Sequence, residues 1–387
     1  MPALPCALPL TRDRLWTTLL IAAGTLAVPF ASLAVGDEPD RFAGFPAIHQ
    51  HRPGERTLKV ITSDAVTGLL RPQWTRAMTD LGAWPVMVRF QGDLLLTFYH
   101  GDGHRGKQLE GSGLLATLRS SDDGRSWQPV TALEGESVPE YVAVGETLFA
   151  YQFNEQDRQT RVHTSRDGSN WSAGQPAYQA PFYLWGVMHD PRTKTFWAPP
   201  HAIPHKGSSP ERRIDLIKSA DGLNWEKVST VAPFNNASES TLRFEPDGTM
   251  VILIRRKYGK TCSVAVARPP YTDWDITDRE GIAEGEHYFE LGGQTFLATR
   301  SNYSGDNPEV LANPKVFDGR RSYAAIYRFT ADRQFQPWAV VDSLGDCSYP
   351  FLIETADEIL CAYYSQHEDG VCKVFLAGFD KRQFLAK

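Results

Sequence analysis

Short apolar runs, each reached through a polar turn, recur along the chain. Leu94-Leu95-Leu96-Thr97-Phe98-Tyr99 follows Gln91-Gly92-Asp93, and Leu148-Phe149-Ala150-Tyr151 follows Val144-Gly145-Glu146. Phe196-Trp197-Ala198 follows Asp190-Pro191-Arg192, and Met250-Val251-Ile252-Leu253-Ile254 follows Pro246-Asp247-Gly248. Gln294-Thr295-Phe296-Leu297-Ala298 follows Gly292-Gly293, and Ile359-Leu360-Cys361-Ala362-Tyr363-Tyr364 follows Asp357-Glu358. Runs of this length, bounded by Gly, Pro and Asp, read as strands around tight turns. They predict six hairpins, and no long amphipathic helical pattern interrupts them.

A second repeat lies between the hairpins. Ser120-Ser121-Asp122-Asp123-Gly124-Arg125-Ser126-Trp127, Ser165-Arg166-Asp167-Gly168-Ser169-Asn170-Trp171 and Ser219-Ala220-Asp221-Gly222-Leu223-Asn224-Trp225 share one pattern. Their tryptophans are 44 and 54 residues apart. In such a segment Ser and Asp side chains bind nearby amides, Gly supplies a positive φ and Trp covers the hairpin end. Asp122, Asp167 and Asp221 therefore read as turn-holding residues rather than chemical ones. Six inner hairpins, each followed by an outer pair, predict an all-β ring: a six-bladed β-propeller of four-stranded antiparallel blades. The early run Thr57-Leu58-Lys59-Val60-Ile61 is the expected closing strand, beside residues 373–379.

Composition adds compartment and partners. The 387 residues carry a formal net charge of -6, which argues against nucleic acid as a partner. Arg12 and Arg14 precede an uncharged stretch from Leu15 to Ala34, with small residues at Ala31, Ser32 and Ala34. Residues 1–36 thus read as an export signal, with an uncleaved anchor as the alternative. Residues 37–387 would then be one secreted or periplasmic domain, with no membrane contact after cleavage. Cys262, Cys347, Cys361 and Cys372 would remain in an oxidising place. Cys361 and Cys372 flank a turn and are candidates for a bridge, with buried thiols as the alternative. No cysteine pair has zinc-site spacing, and no metal or cofactor is expected.

The repeated turn resembles the Asp-box, or BNR repeat, of the sialidases, whose propellers carry such turns on the outer rim. Further positions match in order. Glu239 and Arg255 flank the Asp247-Gly248 turn, Arg321 opens a strand after Gly319-Arg320, and Tyr349 lies in Cys347-Ser348-Tyr349-Pro350-Phe351-Leu352. The resemblance implies a tyrosine nucleophile at Tyr349, Glu239 as its base, and Arg255 and Arg321 gripping a substrate carboxylate. A neutral phenol suits an anomeric carbon that already bears a carboxylate, because an anionic nucleophile would be repelled. Arg256 and Arg320 should point to the opposite faces of their strands.

Blade one departs from the family. Where sialidases have Arg-Ile-Pro, this chain has Ala83-Trp84-Pro85, so the third clamp position is Ala83. Arg76 and Arg89 are possible substitutes, Arg89 also reading as a surface charge. The family's acid/base Asp falls in the loop from His100 to Glu110, where Asp102 is the first choice and Glu110 the second; His100 and His104 flank Asp102. Trp185, His189, His201 and His287 are candidates for sugar contact at the mouth, although His189-Asp190-Pro191 also reads as an ordinary turn. These residues predict an exo-glycosidase acting on a terminal acidic sugar, sialic acid or a relative. With one clamp missing, a sugar without an anomeric carboxylate stays open. A carbohydrate-binding propeller without turnover is the alternative, and a protein-binding scaffold the third reading.

Overall fold

The computed structural model describes residues 69–101, 115–135, 137–203, 212–234, 236–256, 261–280, 283–302 and 322–386. Residues 1–36, Thr57–Ile61, Asp102, Glu110 and Arg321 lie outside them.

Among the described residues the strands fall into six antiparallel sheets. The first strand, β1 (Trp74–Ala77), precedes blade one, which comprises β2 (Ala83–Phe90), β3 (Asp93–Tyr99), β4 (Leu115–Ser120) and β5 (Gln128–Val130). Blade two comprises β6 (Glu140–Val144), β7 (Thr147–Asn154), β8 (Gln159–Ser165) and β9 (Gln175–Pro176). Blade three has a small extra pair, β10 (Phe182–Tyr183) with β13 (His201–Ala202). Its four main strands are β11 (Met188–Asp190), β12 (Thr195–Ala198), β14 (Ile214–Ser219) and β15 (Glu226–Ala232). Blade four is β16 (Ala237–Phe244), β17 (Met250–Arg256), β18 (Thr261–Ala267) and β19 (Asp275–Glu280). Blade five is β20 (His287–Leu291), β21 (Gln294–Asn302), β22 (Ser322–Phe329) and β23 (Phe335–Val340). Blade six is β24 (Ser348–Glu354), β25 (Glu358–Ser365) and β26 (Lys373–Asp380), completed by β1. All six hairpins expected from the apolar runs form the inner pairs of these blades.

The closing strand is a correction. β1 pairs antiparallel with β26, Trp74 opposite Gly378 and Ala77 opposite Phe375. Trp74 is buried, and its indole Nε1 donates to Glu358 Oε1 at 2.7 Å. The strand next to blade one therefore seals the ring, in the position expected for Thr57–Ile61, and covers the edge of β26.

Apolar side chains are buried between blades rather than in one central core. Leu94, Leu96 and Phe98 of blade one pack with Leu360, Ala362 and Tyr364 of blade six. Similar clusters join blades one and two, two and three, three and four, four and five, and five and six. This two-sided burial explains why the second strands are continuously apolar instead of alternating. Each fully buried Leu or Phe contributes about 2 to 3 kcal/mol. A short helix, α1 (Lys381–Ala386), inserts Phe384 against Phe296 and Phe379.

The three Ser-Asp-Gly-Trp segments join the third and fourth strands of blades one, two and three. In the third, Asp221 Oδ1 accepts from the amides of Leu223 and Asn224, both at 2.8 Å, and Ser219 Oγ accepts from the Gly222 amide at 2.9 Å. Gly222 has φ +74°, and an added Cβ would stand 2.9 Å from Phe149 and 3.0 Å from Phe196. Tyr151 of blade two donates to the Gly222 carbonyl at 2.8 Å. The turn thus also latches its blade to the preceding one. Arg76 does the same for the first segment, donating to the Gly124 carbonyl at 2.7 Å.

Cys262, Cys347, Cys361 and Cys372 are all buried thiols. The Cys361–Cys372 bridge is excluded by register: Cys361 opposes Ala377, because the β25–β26 pairing is offset from the turn. The two thiols also lie in different apolar clusters.

Candidate functional site

The side chains that could do chemistry come from the starts of inner strands, the loops before them and the ends of the strands paired with them, and a bulge aims three of them. In β24, Ser348 opposes Tyr364 and Phe351 opposes Ala362, so Tyr349 and Pro350 together face one residue. In β2 the same happens to Trp84 and Pro85, and in β16 to Ser238 and Glu239. Such bulges twist a strand and turn a side chain out of the pleat. Tyr349 has φ 52° and Trp84 φ 54°, a left-handed conformation that costs a non-glycine residue about 1 to 2 kcal/mol. Blade one therefore presents a tryptophan where blade six presents the tyrosine.

The bulges bring Tyr349 and Glu239 together although 110 positions separate them. The Tyr349 hydroxyl donates to Glu239 Oε1 at 2.6 Å. Arg255, on the strand paired with Glu239, donates through Nη1 to Glu239 Oε2. Its Nη2 faces Glu284 Oε1 at 3.2 Å. Arg300 pairs through Nη2 with Glu284 Oε2 and through Nη1 with Asp346 Oδ1, the latter at 3.4 Å. Tyr364 closes the chain by donating to Asp346 Oδ1 at 3.0 Å. Six charged or phenolic links thus run from Tyr349 through blades four and five and back to blade six.

Burial penalises the Glu239 anion, but the Arg255 charge, the Tyr349 hydroxyl and the His201 charge outweigh it, holding the carboxyl at about 2. Burial, reinforced by the Glu239 anion, pushes the Tyr349 phenol well above its ordinary value. At rest the pair is therefore a neutral phenol bonded to a carboxylate. The carboxylate is placed to take the proton when the phenol oxygen attacks an electrophile.

Trp185 stands edge-on to Tyr349 with ring centroids 5.4 Å apart, and His287 lies 5.1 Å from Trp185. Tyr183, opposite His201 in the small extra pair, is 5.4 Å from the His201 ring and 5.9 Å from Trp185. Trp185 thus packs on Tyr349, and His287 and His201 join it through Trp185 and Tyr183. Trp185, His287 and His201 are buried. Burial pushes His287 down to about 3, so it is a neutral ring against Phe351. His189 does not join them. It precedes the turn at the far end of its inner strand and packs on Phe196 at 4.8 Å, beside Trp225 of a turn segment. It is a correction to the sequence reading: a residue at the turn end of a blade cannot reach the mouth.

The two substitutes for the missing clamp are placed elsewhere as well. Arg89 is bound to the Gly92 carbonyl and pairs with Asp123 at 2.8 Å on the turn side. Arg76 lies on the outermost strand of blade six. Ala83 is fully buried. Arg256 points away from Arg255, over Phe234 and toward Asp278. Asp102, Glu110 and Arg321 lie outside the described residues.

Four residues escaped the sequence reading. Arg300, Glu284 and Asp346 belong to no motif, since their meeting depends on blade packing. Glu140, first residue of the inner strand of blade two, is 6 % exposed, and burial pushes its carboxyl up to about 8. After burial, the charges of Glu239 and Glu140 both raise the Tyr183 phenol, so both carboxyl groups lie near it.

No protein-family model and no curated protein matches the chain. Solved structures do. A Trypanosoma rangeli sialidase mutant displaying trans-sialidase activity superposes with a TM-score of 0.56 at 13% identity, covering 89% of this chain and 60% of that one. The phage phi92 endosialidase gives 0.57 at 10% identity over 79% of this chain and 68% of its own. The chain shares the propeller fold of these sialidases. T. rangeli sialidase with 2,3-difluorosialic acid, described as a covalent intermediate, gives 0.54 at 13% identity over 84% of this chain. The propeller spans about 60% of the length of the T. rangeli proteins.

Proposed function

We propose that this propeller is an exported exo-glycosidase that works through Tyr349, with Glu239 as its base. The single observation that carries the reading is the 2.6 Å hydrogen bond from the Tyr349 hydroxyl to Glu239, in a fold shared with sialidases. In the first half-reaction Tyr349 Oη bonds to the anomeric carbon, its proton passes to Glu239, and the bond to the aglycone oxygen breaks. That oxygen needs a proton from an acid. Asp102 is the residue the family resemblance implies, and Glu140 is a second carboxyl near the site that stays protonated at neutrality. Water then attacks the anomeric carbon and gives its proton to the deprotonated acid, while Glu239 returns its proton to the departing phenol oxygen, with retention at the anomeric carbon.

The terminal acidic sugar expected from the sequence rests on Arg255 and Arg321 as a carboxylate clamp. Support for it comes from Arg255, which stands beside the Tyr349–Glu239 pair. A glycan-binding propeller without turnover is the second reading, favoured by the buried Ala83 and by Trp84 where blade six has its tyrosine.

A panel of aryl glycosides of sialic acid, its deaminated form, uronic acids and neutral sugars tests the proposal. One member should be hydrolysed, and Tyr349→Phe should lower its turnover at least about a thousandfold without unfolding the protein. Full activity in that variant would reject the nucleophile. Glycan-array binding with no hydrolysis would favour the second reading.

A further inference from the structure

An arginine pair that receives a substrate carboxylate presents two guanidinium groups to one open position. Arg255 and Arg300 do present such a fork, and a protein carboxylate already fills it. Glu284 gives one oxygen to each: Oε1 to Arg255 Nη2 at 3.2 Å and Oε2 to Arg300 Nη2. The other terminal nitrogens are engaged too, Arg255 Nη1 by Glu239 and Arg300 Nη1 by Asp346. Among the described residues, three carboxylates thus face two guanidiniums in this cluster.

Glu284 is held in that place by its own backbone. Its amide donates to Thr299 Oγ1 at 2.9 Å, and its carbonyl accepts from the Arg300 amide at 3.0 Å and from Ser348 Oγ at 2.9 Å. Ser348 adjoins Tyr349, so the residue that fills the fork is pinned to the strand that carries the tyrosine. Blade one adds no positive charge at its clamp position, which is the buried Ala83 followed by Trp84. A ligand carboxylate entering here would have to displace Glu284 from two partly buried ion pairs and then lie near the Glu239 anion. A hydroxyl or hydroxymethyl group would meet no such opposition.

We infer that Glu284 is a specificity-determining residue, a built-in carboxylate that fills the Arg255–Arg300 fork and reserves the site for glycosides with no carboxylate on the anomeric carbon. The inference rests on the glycosidase reading of this site and narrows its substrate class, away from the acidic sugar that the resemblance implies.

Binding of N-acetylneuraminate and of its neutral methyl ester, measured by titration calorimetry, tests the inference without turnover. Glu284→Ala and Glu284→Gln are the variants. Each arginine keeps a second carboxylate in both, Glu239 or Asp346, so the fold should persist, and thermal melting checks it. The wild type should not prefer the acid to the ester. Glu284→Ala should bind the acid at least about tenfold more tightly than the wild type, with the ester little changed, and Glu284→Gln should move the same way. Preference of the wild type for the acid would overturn the inference, as would variants that gain no affinity for it. Hydrolysis of an aryl sialoside by the wild type in preference to neutral glycosides would also overturn it. Failure of the catalytic reading shows separately, as an active Tyr349→Phe variant or a panel with no hydrolysis, and leaves the binding result legible.

Discussion

Glu140 offers a quantitative test of how this site treats charge. Its carboxyl starts the inner strand of blade two, is 6 % exposed, and has an Oε2 with no hydrogen-bond partner. Burial alone pushes it from 4.5 up to about 8. A carboxyl raised on folding contributes stability that is fully present below 4.5 and is lost as pH rises through 8, because the unfolded chain releases the proton first. Each pH unit in that window costs about 1.4 kcal/mol, so roughly 4 kcal/mol is lost by pH 8. Glutamine has the shape of the protonated acid and does not titrate. Glu140→Gln should therefore match the wild type within about 1 kcal/mol at pH 5 and exceed it by roughly 4 kcal/mol at pH 8. Urea unfolding at the two pH values gives the comparison directly. His287, held down to about 3 by burial, acts in the other direction: its contribution is present above 6.5 and fades as pH falls. It is common to both proteins and cancels. A stability gap that is the same at pH 5 and pH 8 would refute the reasoning.

Two further outcomes follow from the geometry. Gly285 has φ +60°, and an added Cβ would stand 2.7 Å from Ser348 Oγ and 2.9 Å from Tyr349 Cγ; Gly285→Ala should destabilise by about 2 kcal/mol and impair turnover, whereas Gly248→Ala, with nothing within 4 Å, should cost only its backbone strain of about 1 kcal/mol and leave kinetics intact. Asp221→Ala removes the acceptor for two amides and the Asn224 side chain in the outer turn, so thermal melting should show a loss of about 1 to 2 kcal/mol with turnover unchanged.

The ring was legible because its signals are local. A turn such as Pro246-Asp247-Gly248 beside an apolar run states its own conformation, and six of them in series state an architecture. The Tyr349–Glu239 contact was legible only through family resemblance, since nothing within either segment indicates a partner 110 residues away. What stayed hidden depends on packing between blades. Glu284 and Arg300 are ordinary charged residues in the sequence, and only the approach of blades four, five and six makes them a filled fork. His189 misled because its neighbour in sequence, Trp185, does reach the tyrosine, whereas the inner strand has run to its far end by residue 189. The closing strand misled for a similar reason: Thr57–Ile61 is the more strand-like run, but Trp74 buries its indole against blade six.

The account stands on a covalent bond between Tyr349 and the sugar. An activated fluorinated glycoside of the sugar that the panel identifies should accumulate that species, and peptide mapping by mass spectrometry would locate it. The prediction is one added glycosyl mass on the peptide carrying Tyr349, absent from Tyr349→Phe. A label on a carboxylate, or steady hydrolysis with Tyr349 never modified, would contradict it.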